Sequence, residues 1–136
     1  MSKSNTTEND VLEYVFKATA FSWNGNANLY IALHTADPGE AGDQTTNEAT
    51  YTNYARVTVA RSGSGWTVSG NTAQNAALIQ FPQCGASGNT ITHVSIGTLT
   101  SGAGQILYSG ALNSSLAVAN LIQPQFAANA LTITED

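Results

Sequence analysis

The sequence predicts a mainly β domain, an antiparallel β-sandwich or barrel with one short N-terminal amphipathic α-helix. Three observations predict this class. Charged residues make up only 10% of the 136 residues, against roughly 25% in an average domain, which disfavours a bundle of long charged helices. Uncharged polar residues fill the gap, and the β-branched Thr among them suits a pleated surface. Short alternating segments recur between Gly and Asn turns, as they do in sandwiches and barrels.

The helix is predicted over about residues 7–20. Thr7, with Asp10 three residues later, has the pattern of a capping box, which places Thr7 at the N-cap. Apolar side chains then recur at helical spacing, which predicts a half-buried stripe. The stripe consists of Val11, Leu12, Val15 and Phe16.

Strands are predicted to fill about residues 29–134. The first, Leu29–Thr35, alternates so that Ile31 and Leu33 share one face and His34 lies on the other. A turn sequence follows, and the polar, aperiodic segment Glu40–Thr50 is predicted to be a long surface loop. Further strands are predicted at residues 54–61, 66–69, 78–81, 90–99 (with Val94 and Ile96 inward), 105–112, 116–123 and 131–134.

Length and charge narrow the possible classes of protein. A chain of 136 residues is expected to form a single domain. Only four cationic side chains oppose nine acids, giving a net charge of −5, so neither direct nucleic-acid binding nor a polybasic membrane contact is expected. The N-terminal segment is polar and acidic, unlike a secretory signal, and Cys84 has no partner for a disulfide. We therefore expect synthesis in a reducing compartment, the cytoplasm of a cell.

No pattern of residues indicates catalysis. His34 and His93 each lie in an alternating strand, where a histidine is more often packed than catalytic. No His or Cys pair has the spacing of a zinc site, and neither a nucleophile elbow nor a phosphate-binding loop is present. The sequence therefore predicts a protein that is not an enzyme and that needs no cofactor or metal.

Two groups of residues are weak candidates for a ligand-binding site. The carboxylates Asp37, Glu40, Asp43 and Glu48 fall within one loop, where oxygen ligands could hold calcium. Since their spacing is not that of an EF-hand, a solvated turn is the preferred interpretation.

The second group is aromatic. Tyr51, Tyr54 and Trp66 could form a platform for a sugar if they shared one exposed face. Core packing explains these side chains equally well, so glycan binding is kept as a minor hypothesis.

The order of motifs along the chain resembles a family of small bacteriophage virion proteins, whose members are described as head decoration or tail-fibre-like proteins. The resemblance covers about residues 10–134 and includes no catalytic motif. The segments that carry it are LYIALHTADPGEAG at 29–42, NYARVTVAR at 53–61, NTAQNAALIQFP at 71–82, TITHVSIG at 90–97 and QILYSGAL at 105–112.

The resemblance implies a structural protein of the virion, on the head or on the tail. Our first hypothesis places it on the capsid surface. It would be a decoration, or cement, protein that binds the major capsid protein on the outside of the assembled head and stabilises the shell. We expect the contacts at residues 2–20 and 37–48, and a homo-oligomer, a trimer, consistent with closed symmetry. The alternative is a tail-fibre or tail-tip module that contacts a host receptor or glycan.

Overall fold

The computed structural model describes all 136 residues. As predicted, it is mainly β, with antiparallel sheets and one short N-terminal helix. The helix is α1 (Asn5–Lys17). The strands are β1 (Ser2–Lys3), β2 (Asn28–His34), β3 (Val57–Ala60), β4 (Trp66–Ser69), β5 (Thr72–Asn75), β6 (Ile79–Gln80), β7 (Asn89–Gly97), β8 (Ile106–Val118), β9 (Gln125–Phe126) and β10 (Thr132–Thr134).

A five-stranded sheet in the order β1-β8-β7-β2-β3 is the main layer. In it, Leu33 of β2 lies opposite Val94 of β7, and Ile31 lies opposite Ile96. All four side chains are at most 2% exposed and belong to the core, so the predicted inward positions of Val94 and Ile96 are confirmed.

A bulge interrupts the pairing of β7 with β8. The partners pass from His93–Ala111 directly to Ile91–Leu116, so the segment 112–115 of β8 has no paired partner on β7. The bulge changes the alternation, which explains why both Ile91 and Val94 are buried. The sequence predicts two strands here because 113–115 is polar, but the structure has one long strand.

A three-stranded sheet in the order β10-β5-β4 and a two-stranded sheet of β6 and β9 complete the fold. Ile133 of β10 joins Ile31 and Ile96 in one buried cluster, and Trp66 and Ala73 pack against it. Side chains from the two larger sheets therefore share one core, as in a sandwich. The predicted bounds of β4 are confirmed, whereas β1, β5 and β9 are missed because they are short or polar.

The helix begins earlier and ends earlier than predicted. Ser4, not Thr7, is the N-cap, and its hydroxyl accepts a hydrogen bond from the Thr7 N–H. Ala18 ends the helix in a left-handed conformation, with φ at 53°. The capping-box prediction was therefore wrong by one turn, since a second hydroxyl-bearing residue stands three positions before Thr7. This helix is neither long enough nor apolar enough to cross a membrane.

The segment predicted to be a surface loop is partly buried. Gln44 is completely buried and Ala49 is 3% exposed. The Gln44 Oε1 accepts from the backbone N–H groups of Thr98 and Leu99, and its Nε2 donates to the Leu99 carbonyl. An aperiodic polar sequence indicates an irregular backbone. It does not show that the amide side chain of Gln44 connects this segment to the sheet.

Candidate interaction surface

The helix is fastened to the main sheet by its polar side. The hydroxyls of Ser4 and Thr7 both donate to the carbonyl of Ile106, at 2.5 and 2.9 Å. Gln105 extends the contact, since its amide donates to Thr7 and to the Asp10 carboxylate. Ser4 and Thr7 are each 3% exposed, so this polar side is the one that faces the sheet.

Most of the apolar stripe therefore points away from the sheet, whereas Val11, four residues after Thr7, lies near the polar side. Phe16 follows Thr7 by two and a half turns of 3.6 residues and so lies on the opposite side. The exposed fractions rise along the stripe, from 37% at Val11 through 57% at Leu12 and 63% at Val15 to 78% at Phe16. The prediction of a half-buried stripe was wrong. We call these four side chains the helix stripe.

Aromatic rings connect the helix to Arg61, which directly follows β3 of the main sheet. Tyr14 stacks on Phe21 at 5.1 Å between ring centroids, and Phe21 stacks on Trp23 at 4.7 Å. The Arg61 guanidinium lies 5.1 Å from the Trp23 ring centroid, a cation–π contact. The same guanidinium donates to the carbonyls of Asn24 and Asn26, which fixes the end of this row of rings.

A cleft of about 760 Å³ opens beside Trp23, between the two larger sheets. Its volume is within the range of about 300–1,000 Å³ that is typical of binding clefts. Most of its lining is apolar, including Trp23, Leu29, Trp66, Val68, Ile96 and Ile133. The indole Nε1 atoms of Trp23 and Trp66 are buried and have no hydrogen-bond partner in the chain, although buried donors are normally paired.

The rim of the cleft is polar and includes Tyr108 and Glu135. The Tyr108 hydroxyl donates to the Glu135 carboxylate, and Lys3 makes an ion pair with the same carboxylate at 2.6 Å. The hydrogen bond from Lys3, with that from Tyr108, lowers the pKa of Glu135. Burial raises the pKa of the Tyr108 hydroxyl well above its usual value, and the neighbouring carboxylate adds to this effect.

The four carboxylates of the acidic loop do not converge. Asp37 accepts from the N–H of Gly39, and Asp43 accepts from the N–H and hydroxyl of Thr45. Glu40 accepts from the Ser2 hydroxyl. The hydrogen bonds from Thr45 lower the pKa of Asp43.

The fourth carboxylate, Glu48, faces Arg56. Two charge-assisted hydrogen bonds join them, Arg56 Nε to Glu48 Oε1 at 2.7 Å and Arg56 Nη2 to Glu48 Oε2 at 2.9 Å. The Arg56 side chain is only 3% exposed and donates further to the carbonyls of Leu99 and Gly102. No group of three or more His, Cys, Asp or Glu side chains is placed to hold a metal ion.

The three aromatic side chains of the predicted platform do not share an exposed face. Tyr51 is 2% exposed and donates to the Pro82 carbonyl, and burial raises its pKa to about 12. Tyr54 donates to Glu48 and accepts from the Leu33 N–H, and burial raises its pKa far above its usual value. Only Trp66 lies at a surface feature, the cleft.

The two histidines are packed side chains, as predicted, and lie opposite each other across β2 and β7. His34 is completely buried. Its Nδ1 lies 2.9 Å from the Thr46 carbonyl, which can only accept, so Nδ1 carries the proton and Nε2 accepts from the Ser95 hydroxyl. Burial lowers the pKa of His34. Cys84 is also buried and belongs to the core.

The sequence patterns predicted the helix stripe and Trp66 as interaction residues but did not predict most of the cleft. Trp23, Arg61, Tyr108 and Glu135 come from four separate parts of the chain, and no local pattern joins them. The one available signal was the recurrence of aromatic residues at 14, 21 and 23, next to the end of the predicted helix.

Residues 2–134 match the protein family described as "Podophage GP4 fiber I protein gp80". The chain belongs to this family. It is therefore a structural protein of a bacteriophage virion, in agreement with the resemblance found in its motifs. No curated protein matches the chain. A virion component works through contacts with its neighbours. The helix stripe and the cleft are therefore the candidate contact surfaces of this fibre I family member.

Proposed function

We propose that this chain is a fibre subunit of the virion. The observation that carries the proposal is the match of residues 2–134 to a family described as a fibre protein. The sequence analysis favoured capsid decoration and kept the fibre as the alternative. The family description reverses that order of preference, because it refers to a fibre and makes no mention of the head.

The surface of the chain supports a role in assembly. Phe16 at 78% and Val15 at 63% exposed place large apolar side chains in water without any contact in the chain that would cover them. Contiguous exposed apolar surface of this kind usually marks an interaction site. A homo-oligomer, with a trimer as the expected closed form, would remove such surface from water.

Capsid decoration is the second candidate. The exposed stripe lies within residues 2–20, the segment that the sequence analysis assigned to a contact with the major capsid protein. A shell could bury this stripe as well as a fibre could, since burial of apolar surface stabilises either contact.

Labelling of purified particles with antibodies against this chain, viewed by electron microscopy, tests the proposal. A fibre subunit places the label on the fibres or the tail, whereas a decoration protein places it over the whole head surface. Particles from a phage that lacks the gene are the control. Label confined to the head would contradict the proposal and favour decoration.

A further inference from the structure

Arg61, at the cleft between the two larger sheets, is the one cationic side chain of the protein that has no ion pair. Nine acids are present against four bases, yet none of the carboxylates pairs with Arg61. Each of the other three cations holds a carboxylate: Lys3 pairs with Glu135, Lys17 with Glu13 and Arg56 with Glu48. The Arg61 guanidinium therefore keeps its capacity for a carboxylate that comes from outside the chain.

The edge of the guanidinium that Arg61 offers is well defined. Its Nη1 donates to the carbonyls of Asn24 and Asn26, at 2.8 and 3.0 Å. Its Nε and Nη2 make no hydrogen bond within the chain, and these two nitrogens form the fork that binds a carboxylate bidentately. Arg56 uses the same pair of nitrogens to bind the two carboxylate oxygens of Glu48.

The charges around the cleft favour an anion. Arg61 and Glu135 are the charged residues of its lining. Both carboxylate oxygens of Glu135 are engaged, one by the Tyr108 hydroxyl and the other by the Lys3 ammonium. Because Lys3 offsets the charge of Glu135, the charge that stays uncompensated at the cleft is the positive charge of Arg61.

The rest of the lining favours a saccharide over a purely apolar anion. No aromatic ring stacks on Trp66, so its indole can pack against the C–H face of a sugar ring. The buried indole N–H groups of Trp23 and Trp66 have no acceptor within the chain. A fatty acid would leave such donors unpaired, whereas the hydroxyls of a saccharide supply oxygen acceptors.

We propose that the cleft binds an acidic saccharide, with the carboxylate of one sugar unit on the Nε–Nη2 edge of Arg61 and its ring against Trp66. Trp23 positions the guanidinium through the cation–π contact at 5.1 Å. The cleft volume of about 760 Å³ suits a ligand of this size. The inference goes beyond the proposed function, because a subunit can belong to a fibre without binding a ligand.

Tryptophan fluorescence tests the proposal, since both tryptophans of the chain line the cleft. The acidic probes are trigalacturonic acid and sialyllactose, and their neutral counterparts are the methyl ester of the first and lactose. We expect saturable binding of an acidic probe and binding of its neutral counterpart that is weaker by about tenfold or more, because hydrogen bonds to charged groups are the stronger ones. Equal affinities within each pair, or no saturable binding of either acid, would overturn the proposal.

Two variants test the role of Arg61. Arg61→Gln removes the charge and the bidentate edge, and we expect it to bind the acidic probe about tenfold or more weakly than wild type. Lys17→Gln is the matched control, because it removes an equal charge from a side chain that is 65% exposed on the helix, and it should bind as wild type does. Circular dichroism checks the fold. If Arg61→Gln does not fold, Arg61→Lys replaces it, since lysine keeps the charge without the fork and should also bind more weakly. Wild-type affinity in the folded Arg61 variant would contradict the assignment.

An aspartate peptide of the same charge as trigalacturonic acid tests the class of ligand. We expect this peptide to bind more weakly than the saccharide, because it lacks the sugar ring and its hydroxyls. A peptide that binds as tightly, and that competes with the saccharide, would show that the cleft recognises charge alone. These measurements use the purified chain, whereas antibody labelling measures placement in the particle. A chain that binds no saccharide but is labelled on the fibres would therefore overturn this inference and leave the proposed function standing.

Discussion

At the scale of single residues, the buried polar groups of this chain are paired within the chain with few exceptions. His34, Gln44, Asn75 and Ser95 are completely buried, and each has hydrogen-bond partners. A buried polar group that lacks a hydrogen-bond partner destabilises the fold by more than a typical hydrogen bond stabilises it. These residues therefore stabilise one arrangement of loops and strands, and their substitution has predictable results.

His34 makes stability depend on pH. Because burial lowers its pKa in the folded state, the unfolded chain binds more protons than the folded chain below pH about 6.5. The free energy of unfolding is therefore expected to keep its full value above that pH and to decrease as the pH falls below it. Urea unfolding at pH 7.5 and at pH 5.5 measures this difference. His34→Gln should reduce this difference, and the control Gln80→Ala, at an exposed position of β6, should keep it. An equal difference in all three proteins would contradict the account.

The pair of Glu48 and Arg56 is the second test at this scale. Glu48→Ala leaves the Arg56 guanidinium buried without its carboxylate, so we expect the free energy of unfolding to fall by about 3 kcal/mol. The control is Glu13→Ala, which breaks an exposed helix pair with Lys17 at 2.9 Å and should leave the free energy of unfolding nearly unchanged. Urea unfolding measures both. Equal losses in the two variants would show that the Glu48–Arg56 pair contributes little.

At the scale of elements, Gln44 is one of the side chains that dock the 37–50 segment on the main sheet. Gln44→Ala removes the acceptor of the Leu99 N–H and the donor to the Leu99 carbonyl. We expect a loss of about 2 kcal/mol in unfolding free energy and faster amide exchange across residues 44–49. Gln80→Ala, at an exposed glutamine of β6, is the control and should change neither. Unchanged exchange in Gln44→Ala would contradict the docking of this segment.

The same elements show what could be predicted from the sequence. Alternation predicted the inward positions Val94 and Ile96, because strand periodicity is a local property. Periodicity also predicted the apolar stripe of the helix but not its exposure. A helical pattern shows which side chains share a face, whereas Ile106, about a hundred residues later, determines which face meets the sheet.

At the scale of the whole molecule, the cleft was beyond prediction for a similar reason. Its walls come from both larger sheets, and a strand order that is invisible in the sequence brings Trp23 and Trp66 together. The acidic loop illustrates the reverse case. Its carboxylates are close in sequence, yet Glu48 faces Arg56 and Glu40 accepts from Ser2. Asp37 and Asp43 each accept from a residue two positions later.

The number of copies of this chain in each purified particle tests the central claim most directly. Quantitative mass spectrometry against labelled peptides, with the major capsid protein as the internal standard, measures it. A fibre subunit is predicted to occur in a small fixed number set by the symmetry of the tail. A number equal to the lattice positions of the shell, or no copies in the particle, would contradict the account.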